Sequence, residues 1–214
     1  GRWAFTYDLL NRVATAVDPA GNTITYSYDA AGHRAAMIAP DDGRFTYSYN
    51  SSGQIDWLIN PQGDRTTFAY DALGRCTLTE LANGTRVSCT YDAGSQSQQL
   101  YHFRADDSVI AGFSYEYDAA GNRIATLEAA GDRVSWTYDA TDRLTREQRS
   151  STNAYDTRYT YDRLGNRLVK DASGARTTFA YDLANQLTTS EDVDGTTSYD
   201  YDPAGNLHLI ESPD

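Results

Sequence analysis

The stretch Phe113–Ile124 reads FSYEYDAAGNRI, and the expected fold of the chain follows from it. Its first five residues alternate aromatic and polar side chains, which is typical of a β-strand with one aromatic face. The next four residues, Asp118–Gly121, are typical of a tight turn, and the last three begin a strand that runs back. The stretch therefore predicts a β-hairpin.

The same signal recurs at a nearly constant spacing along the chain. A Tyr that is followed by Asp, or once by Asn, ends the strand pattern ten times. These tyrosines are Tyr7, Tyr28, Tyr49, Tyr70, Tyr91, Tyr117, Tyr138, Tyr161, Tyr181 and Tyr201. Successive members lie 21, 21, 21, 21, 26, 21, 23, 20 and 20 residues apart. A fixed period indicates a repeat architecture, so we predict one array over 1–214 and no second domain.

The residues that follow each Tyr explain how the chain turns. An Asp in the first position of a type I turn accepts hydrogen bonds from nearby backbone N–H groups. Three residues later the backbone needs a positive φ to re-enter the ladder as a bulge, which favours Gly or Asn. The aspartates are Asp8, Asp29, Asp71, Asp92, Asp118, Asp139, Asp162, Asp182 and Asp202. The positive-φ position holds Asn11, Gly32, Gly53, Gly74, Ser95, Gly121, Asp142, Gly165, Asn185 and Gly205, of which only Ser95 departs from the expected types. We interpret the Tyr, Asp and Gly residues as a structural repeat motif.

A second turn signal lies about ten residues after each Tyr-Asp, for example at Pro61-Gln62-Gly63. Two turns per period leave room for two strands, so the chain predicts on the order of twenty strands. The expected fold is all-β: a long antiparallel meander of about ten two-stranded hairpin repeats that curls into a spiral, as a partial barrel or shell. Residues 94–112 carry five extra residues and predict a longer hairpin, a bend or a contact surface.

Composition and charge narrow the function classes. The net charge of −12 argues against a nucleic-acid partner, which requires a basic surface. The sequence has no run of 18 apolar residues, so no membrane span is expected. Apolar residues make up 40% even with 17 tyrosines counted, which is too few for a thick core. The tyrosine rows are expected to pack between neighbouring repeats, and a ligand platform is the alternative interpretation of the same rows.

The sequence contains no recognisable catalytic or cofactor-binding motif. Nucleophile, zinc-protease, phosphate-loop and dinucleotide motifs are not found, so we predict no catalytic, cofactor or metal residues and no enzyme activity. Asp192–Gly195 matches a fragment of a calcium loop and is interpreted as a plain turn. His33, His102 and His208 lack the spacing of a metal site and are interpreted as chance placements on turns or strand faces.

The two cysteines flank a turn signal at Asn83-Gly84. If that turn has two residues, Cys89 faces Leu78 and Cys76 faces Tyr91, which makes the cysteines diagonal neighbours. A diagonal pair is an awkward disulfide, so we predict two reduced, buried thiols.

The repeat motif points to a known family. Tyr117–Arg123 and Tyr161–Arg167 read Tyr-Asp-x-x-Gly-Asn-Arg, and Tyr70–Arg75 reads Tyr-Asp-x-x-Gly-Arg. These motifs resemble the YD repeats of the RHS family over nearly the whole chain. The resemblance implies a sheet rolled into a hollow shell, as in bacterial polymorphic toxins, the cocoon of Tc toxin complexes and the teneurins. It implies a structural, non-catalytic wall segment within a larger secreted or cell-surface bacterial protein. The implied partners are the rest of the parent shell and an enclosed polypeptide cargo.

Two other folds and one other function are compatible with parts of the pattern. A β-propeller would repeat its signature every second hairpin, and a choline- or glucan-binding hairpin solenoid depends on Trp-Tyr clusters, whereas the chain has only three Trp. The alternative function is an extracellular adhesion or carbohydrate-binding module that uses exposed aromatics such as Tyr101 and Phe103, with a glycan or cell-surface ligand. Free sheet edges further predict edge-to-edge self-association of this segment.

Overall fold

The computed structural model describes residues 1–151 and 153–213. All the regular structure in these two ranges is β-strand, joined by turns. Accordingly, no helix that could cross a membrane occurs among these residues.

Twenty strands lie within the described ranges. They are β1 (Ala4–Tyr7), β2 (Val13–Val17), β3 (Thr23–Tyr28), β4 (Arg34–Ile38), β5 (Arg44–Tyr49), β6 (Ile55–Ile59), β7 (Arg65–Tyr70), β8 (Cys76–Glu80), β9 (Arg86–Tyr91), β10 (Ser97–Phe103), β11 (Val109–Tyr117), β12 (Arg123–Glu128), β13 (Arg133–Tyr138), β14 (Leu144–Ser150), β15 (Tyr155–Tyr161), β16 (Arg167–Ala172), β17 (Ala175–Tyr181), β18 (Leu187–Asp192), β19 (Gly195–Tyr201) and β20 (Leu207–Glu211). Every odd-numbered strand ends at the Tyr of the repeat motif.

The chain forms two compact units, residues 1–112 and the residues from Phe113 onward. In the first unit each strand from β1 to β10 pairs with the next one along the chain, always antiparallel. In the second unit the strands from β11 to β20 pair in the same way. The predicted all-β hairpin meander is therefore confirmed. The prediction of one uninterrupted array over 1–214 stays a prediction.

A β-bulge lies beside the repeat Tyr in each of the ten motif hairpins. In the hairpin of β7 and β8, for example, Ala69 faces Leu78 but Tyr70 faces Cys76, so β8 contains one extra residue. That extra residue is Thr77. The positive-φ residue, Gly74 with φ 80°, lies three residues earlier, at the end of the turn, where its N–H donates to Asp71 O and the Asp71 N–H donates to Arg75 O. The expected re-entry of the chain as a bulge is thus present in every repeat.

The register predicted for the cysteine hairpin is wrong. Leu78 faces Ser88 rather than Cys89, and Cys89 instead faces Leu100 of β10. The reason is that the turn closes over five residues, with a hydrogen bond of 2.9 Å from Leu81 N to Thr85 O, rather than over Asn83-Gly84 alone. Both thiols are free and half-buried.

One register relates the return strand to the next motif strand in eight strand pairs: β2–β3, β4–β5, β6–β7, β8–β9, β12–β13, β14–β15, β16–β17 and β18–β19. In these pairs, the residue seven positions after a motif Asp faces the residue four positions before the next motif Asp. In one repeat Asn50 takes the place of the Asp, and the same rule holds. Thr15 with Thr25, Trp57 with Thr67 and Val169 with Thr178 are three such pairs. The register is the same whether the intervening turn has five residues or two, because the hairpins have compensating strand lengths.

Burial is shallow in both units. The fully buried apolar residues are small: Ala16 and Ala36 in the first unit, and Ala125 with Val134 in the second. Most motif tyrosines are half-buried. Among the described residues no large side chain is completely enclosed, which matches the expectation that apolar content is too low for a thick core. The tyrosine rings and the polar turns must therefore supply much of the contact between neighbouring repeats.

Candidate functional site: the junction between repeats

The turn after each motif Tyr is closed by its own Asp side chain. In the turn after β7, Asp71 Oδ1 accepts hydrogen bonds of 3.0 Å from the backbone N–H groups of Leu73 and Arg75. Its second oxygen accepts one of 2.7 Å from Arg75 Nε. The backbone adds Asp71 N to Arg75 O and Gly74 N to Asp71 O, each at 3.0 Å. The carboxylate therefore satisfies donors that the turn would otherwise leave unpaired.

This geometry recurs in all ten motif turns. The N–H of the fourth residue after the Asp, or after Asn50 in its place, donates to the side-chain Oδ1 every time. The third residue has a positive φ every time, including Ser95 at 66°. Gly94, one residue earlier, does not adopt this conformation. The motif residues thus occupy equivalent places throughout the chain, even where the glycine is out of position.

In seven of the motif turns, hydrogen bonds lower the pKa of the Asp and so favour its charged form. For Asp71 the backbone N–H of Arg75 is the largest cause that lowers the pKa, and the Arg75 side chain lowers it further. For Asp118 the backbone N–H of Asn122 is again the largest cause of a lowered pKa. The pKa values of Asp8, Asp29, Asp139, Asp162 and Asp202 are also lowered by hydrogen bonds within their turns.

The motif Tyr connects its repeat to the preceding one. Tyr70 donates its hydroxyl to the carbonyl oxygen of Ile55 at 3.0 Å. Ile55 is the first residue of β6 and lies five positions after Asn50, the residue that replaces the motif Asp of the preceding turn. The same bond joins Tyr28 to Val13, Tyr49 to Arg34, Tyr91 to Cys76, Tyr138 to Arg123, Tyr161 to Leu144 and Tyr181 to Arg167. Burial is the largest cause that raises the pKa of Tyr70. A hydrogen bond with Cys89, followed by burial, raises the pKa of Tyr91 to about 12.

The fourth residue after the Asp connects its repeat to the following one. Arg75 Nη1 donates to Asp92 O at 2.8 Å and to Ser95 Oγ at 3.1 Å, and its guanidinium lies 4.7 Å from the Tyr91 ring centre. Arg143 makes the equivalent contacts to Asp162 O at 2.8 Å and to the Tyr161 ring at 5.0 Å. One side chain therefore holds its own turn closed, bonds the next turn and stacks on the next tyrosine.

This position was not among the site residues predicted from the sequence. Its signal is a side chain that can donate hydrogen bonds, four residues after the motif Asp or Asn, in every repeat. The residues are Arg12, His33, Gln54, Arg75, Gln96, Asn122, Arg143, Asn166, Gln186 and Asn206. His33 is therefore in register and not a chance placement: it stacks on Tyr49 at 4.6 Å and lies 3.2 Å from Asp29 Oδ2. We call the motif Tyr, the motif Asp or Asn and this fourth residue together the repeat junction.

The repeats at the two ends lack parts of the junction. Tyr7 is 56% exposed, and its hydroxyl has no hydrogen-bond partner among the described residues. Asn206 bonds its own Asp202, at 3.0 Å to Oδ2. It makes no bond to a further turn within the ranges described. Tyr7 is the last residue of β1, and Asn206 directly precedes β20.

The other candidate sites from the sequence are the acidic and histidine residues, the Asp192–Gly195 turn and the aromatic pair Tyr101 and Phe103. Among the described residues no three His, Cys, Asp or Glu side chains are close enough together to hold a metal ion. Asp192–Gly195 forms the tip of the β18–β19 hairpin. Tyr101 and Phe103 stack at 5.8 Å between ring centres, and the Arg86 guanidinium lies 4.7 Å from the Phe103 ring. A cavity of about 190 Å³ beside Phe103 is lined by His102 and Ile110, among others.

The strand pairing, the repeat junction and the period define a class of protein: an array of antiparallel hairpins that are joined by their Tyr-Asp turns. The RHS repeat family matches residues 7–44, 49–86, 117–154, 167–197 and 181–212. These matches cover well over half of the chain, so the chain belongs to the RHS repeat family. A comparison with curated proteins found no match.

Solved Tc toxin structures share the fold. The crystal structure of TcdB2-TccC3 is 18% identical with a TM-score of 0.66, over 100% of this chain and 16% of that chain. TcdB2-TccC3-Cdc42 is 17% identical with a TM-score of 0.66, over 99% and 15%. The Tc holotoxin pore of Photorhabdus luminescens is 17% identical with a TM-score of 0.61, over 90% and 12%. This chain therefore spans only about 15% of the length of the structures that it matches.

Proposed function

We propose that this chain is a structural, non-catalytic wall segment of an RHS-type shell that encloses a polypeptide cargo. The observation that carries the proposal is the repeat junction. Its ionisable and hydroxyl groups bind one another or the neighbouring backbone, as Asp71, Arg75 and Tyr91 do, and so serve to join repeats. Such an array extends by neighbour contacts and needs no reactive group.

The partners follow from this role. The shell is completed by the rest of a larger polypeptide, and the cargo is a chain that the wall separates from proteases. The fold shared with Tc toxin structures and the family membership support a secreted or cell-surface toxin-like assembly. The charge of −12 suits a wall that stays soluble on its outer side and attracts a basic cargo on its inner side.

Protease protection tests the proposal. In the full polypeptide that carries this segment, we expect a cargo region that survives trypsin. Thr67→Pro removes an N–H in β7, which is paired on both sides, and should open the wall and expose the cargo. Ala72→Pro is the matched control, because Pro203 already occupies the equivalent turn position in another repeat. Cargo that is equally sensitive in the parent protein and in Thr67→Pro would overturn the proposal.

A second candidate function, glycan binding at an adhesion surface, is favoured by the stacked Tyr101 and Phe103 and the cavity beside them. Arg86 already occupies one face of Phe103, which leaves less ring surface for a sugar. Glycan-array binding that is lost in Tyr101→Ala and Phe103→Ala would establish this function. The absence of binding to any glycan on the array would rule this function out.

A further inference from the structure

The two cysteines of the chain occupy one contact between neighbouring repeats. Cys76 lies five residues after the motif Asp71, and Cys89 lies three residues before the next one, Asp92. The position of Cys89 is aromatic in the other nine repeats, where it holds Phe5, Tyr26, Tyr47, Phe68, Tyr115, Trp136, Tyr159, Phe179 and Tyr199. The cysteines therefore hold fixed places in the period, in the paired strands β8 and β9.

The equivalent side chains of another pair of repeats touch each other. Arg167 and Phe179 occupy the places that Cys76 and Cys89 occupy here. The Arg167 guanidinium lies 4.6 Å from the Phe179 ring centre. In both cases the next motif Tyr donates its hydroxyl to the carbonyl oxygen of the first residue, at 3.0 Å and 2.9 Å respectively. The shared backbone arrangement therefore directs the side chains of positions 76 and 89 towards each other.

The bulge in β8 places both thiols on one face of the sheet. Leu78 faces Ser88, so Cys89, the next residue of β9, points to the opposite face. Cys76 and Leu78 face consecutive residues of β7, because Thr77 is the extra residue between them. Cys76 therefore also points away from the face of Leu78. Without the bulge the two cysteines would lie on opposite faces.

The register also sets a distance that suits a disulfide. Continued by one residue, the pairing of β8 with β9 places Thr77 opposite Cys89, so Cys76 is offset by one position. With strands about 4.8 Å apart and a rise of about 3.3 Å per residue, the two cysteine Cα atoms are expected roughly 6 Å apart. Disulfides span about 4.4–6.8 Å between Cα atoms. The expectation of two reduced thiols rested on an offset of two residues, which the observed register does not have.

One tyrosine hydroxyl contacts both cysteines. Tyr91 donates to Cys76 O at 2.9 Å. A hydrogen bond with the Cys89 thiol is the largest cause that raises the pKa of Tyr91 to about 12. The other polar contacts of the thiols are long, at 3.8 Å from Cys89 Sγ to Ser97 Oγ and 3.7 Å from Cys76 Sγ to Thr79 Oγ1. Thiols are weak hydrogen-bonding groups, so a covalent bond between them gives up little.

We propose that Cys76 and Cys89 form a reversible intrachain disulfide between β8 and β9, by exchange with a small external disulfide such as oxidised glutathione. One protein thiolate attacks the external disulfide, forms a mixed disulfide and displaces one glutathione thiolate. The second protein thiolate then attacks the cysteine sulfur of the mixed disulfide and displaces the other glutathione thiolate. Two electrons and two protons pass from the two cysteines to the external disulfide, which becomes two thiols. The proposal does not depend on the container function.

Thiol counting tests the bond. The chain is equilibrated in glutathione buffers of increasing oxidised fraction, quenched in acid, alkylated with a maleimide and weighed as an intact protein. The parent should lose two hydrogens and accept no maleimide, whereas Cys76→Ser and Cys89→Ser should each stop at one bound glutathione. A parent that keeps two alkylatable thiols in the most oxidising buffer would overturn the proposal. So would a parent that stops at mixed disulfides or links only to other copies.

Moving one cysteine by a single residue tests the role of the bulge. Cys89→Ser with Ser88→Cys keeps the composition and changes the loop by one residue, but residue 88 points to the opposite face from Cys76. Its disulfide should need a buffer at least about ten-fold more oxidising, because the bond must form with strain. Circular dichroism checks that the variant keeps its fold. Equal midpoints for the variant and the parent would refute the assigned geometry.

Thermal unfolding tests whether the bond belongs to the native structure. It closes a loop of 14 residues, so oxidation should raise the Tm of the first unit by about 10 °C. Adding the reductant should reverse the shift. Cys76→Ser with Cys89→Ser is the control and should melt at the same temperature in both buffers. An oxidised parent that melts no higher than the reduced parent would show that the bond does not fit the folded hairpin.

Discussion

The tyrosine hydroxyl bond is the contact whose energetic role is most directly testable. Tyr70→Phe removes only the hydroxyl that donates to Ile55 O at 3.0 Å and leaves the ring in place. A neutral hydrogen bond contributes about 1 kcal/mol net, and Ile55 is half-buried, so water can partly replace the lost donor. We therefore expect a loss of about 1 kcal/mol in the free energy of unfolding of the first unit.

The assay is equilibrium unfolding in urea, followed by the fluorescence of Trp57. Trp57 lies in β6, faces Thr67 of β7 and contacts the Arg65 guanidinium at 5.0 Å, so it reports on the strands that Tyr70 joins. Replacing the other two tryptophans with Phe makes it the only reporter. In a thermal scan the same loss should lower Tm by about 4 °C for a unit of this size.

Tyr7→Phe is the matched control. It makes the same chemical change at the same motif position, but the Tyr7 hydroxyl has no partner in the described part of the chain. We expect its unfolding midpoint to stay within error of the parent value under dilute, monomeric conditions. If Tyr70→Phe and Tyr7→Phe change the midpoint equally, the hydroxyl bond does not stabilise the junction and the reasoning fails.

Three further predictions concern the turns, the small core and the charges. Gly165→Val should lower the free energy of unfolding by about 1–3 kcal/mol, measured by chemical denaturation, because φ is 95° at this position and no atom lies near the new Cβ. An unchanged free energy of unfolding would show that backbone strain at this position is not costly. Ala125→Leu should lower the free energy of unfolding by about 1–3 kcal/mol, because the larger side chain overpacks a completely buried position. The measurement is the Tm, which should fall; an unchanged Tm would show that the structure around residue 125 expands to accept the side chain. Arg146, then Arg158, lower the pKa of Asp156 to about 2, so its stabilising contribution is present above the unfolded pKa of about 4 and is lost as the pH falls towards 2. Urea midpoints should drop over this interval, and less so in Asp156→Asn; an equal drop in both would contradict the assignment.

The hairpin meander could be predicted from the sequence because two independent signals agree in every repeat. Alternation of aromatic and polar residues sets the strand, and the Asp with a positive-φ residue sets the turn. Position in the period proved more reliable than residue type: Ser95 has φ 66° and Asp42 has φ 63°, although a glycine adjoins each of them. The surrounding ladder imposes this conformation at a cost that a single residue can tolerate.

The register of the second turn and the repeat junction could not be predicted in the same way. A Gly after Asn or Asp is compatible with a two-residue or a five-residue turn, and only the partner strands decide between them. The role of Arg75 depends on a residue twenty positions later, Ser95, which is brought near by pairing through two intervening strands. Single-residue preferences carry no information about such contacts, although the recurrence of hydrogen-bond donors at that position does.

The shared register has a consequence for how genes of this kind change in length. Since eight return strands meet the next motif strand with the same offset, removing or duplicating one whole repeat, which is 21 codons between Tyr7 and Tyr91, would join equivalent backbone positions and recreate the same contacts. Misaligned recombination between neighbouring copies would then yield a foldable product more often than in a domain with one closed core. The number of hairpins is thus a heritable quantity that selection can adjust one step at a time.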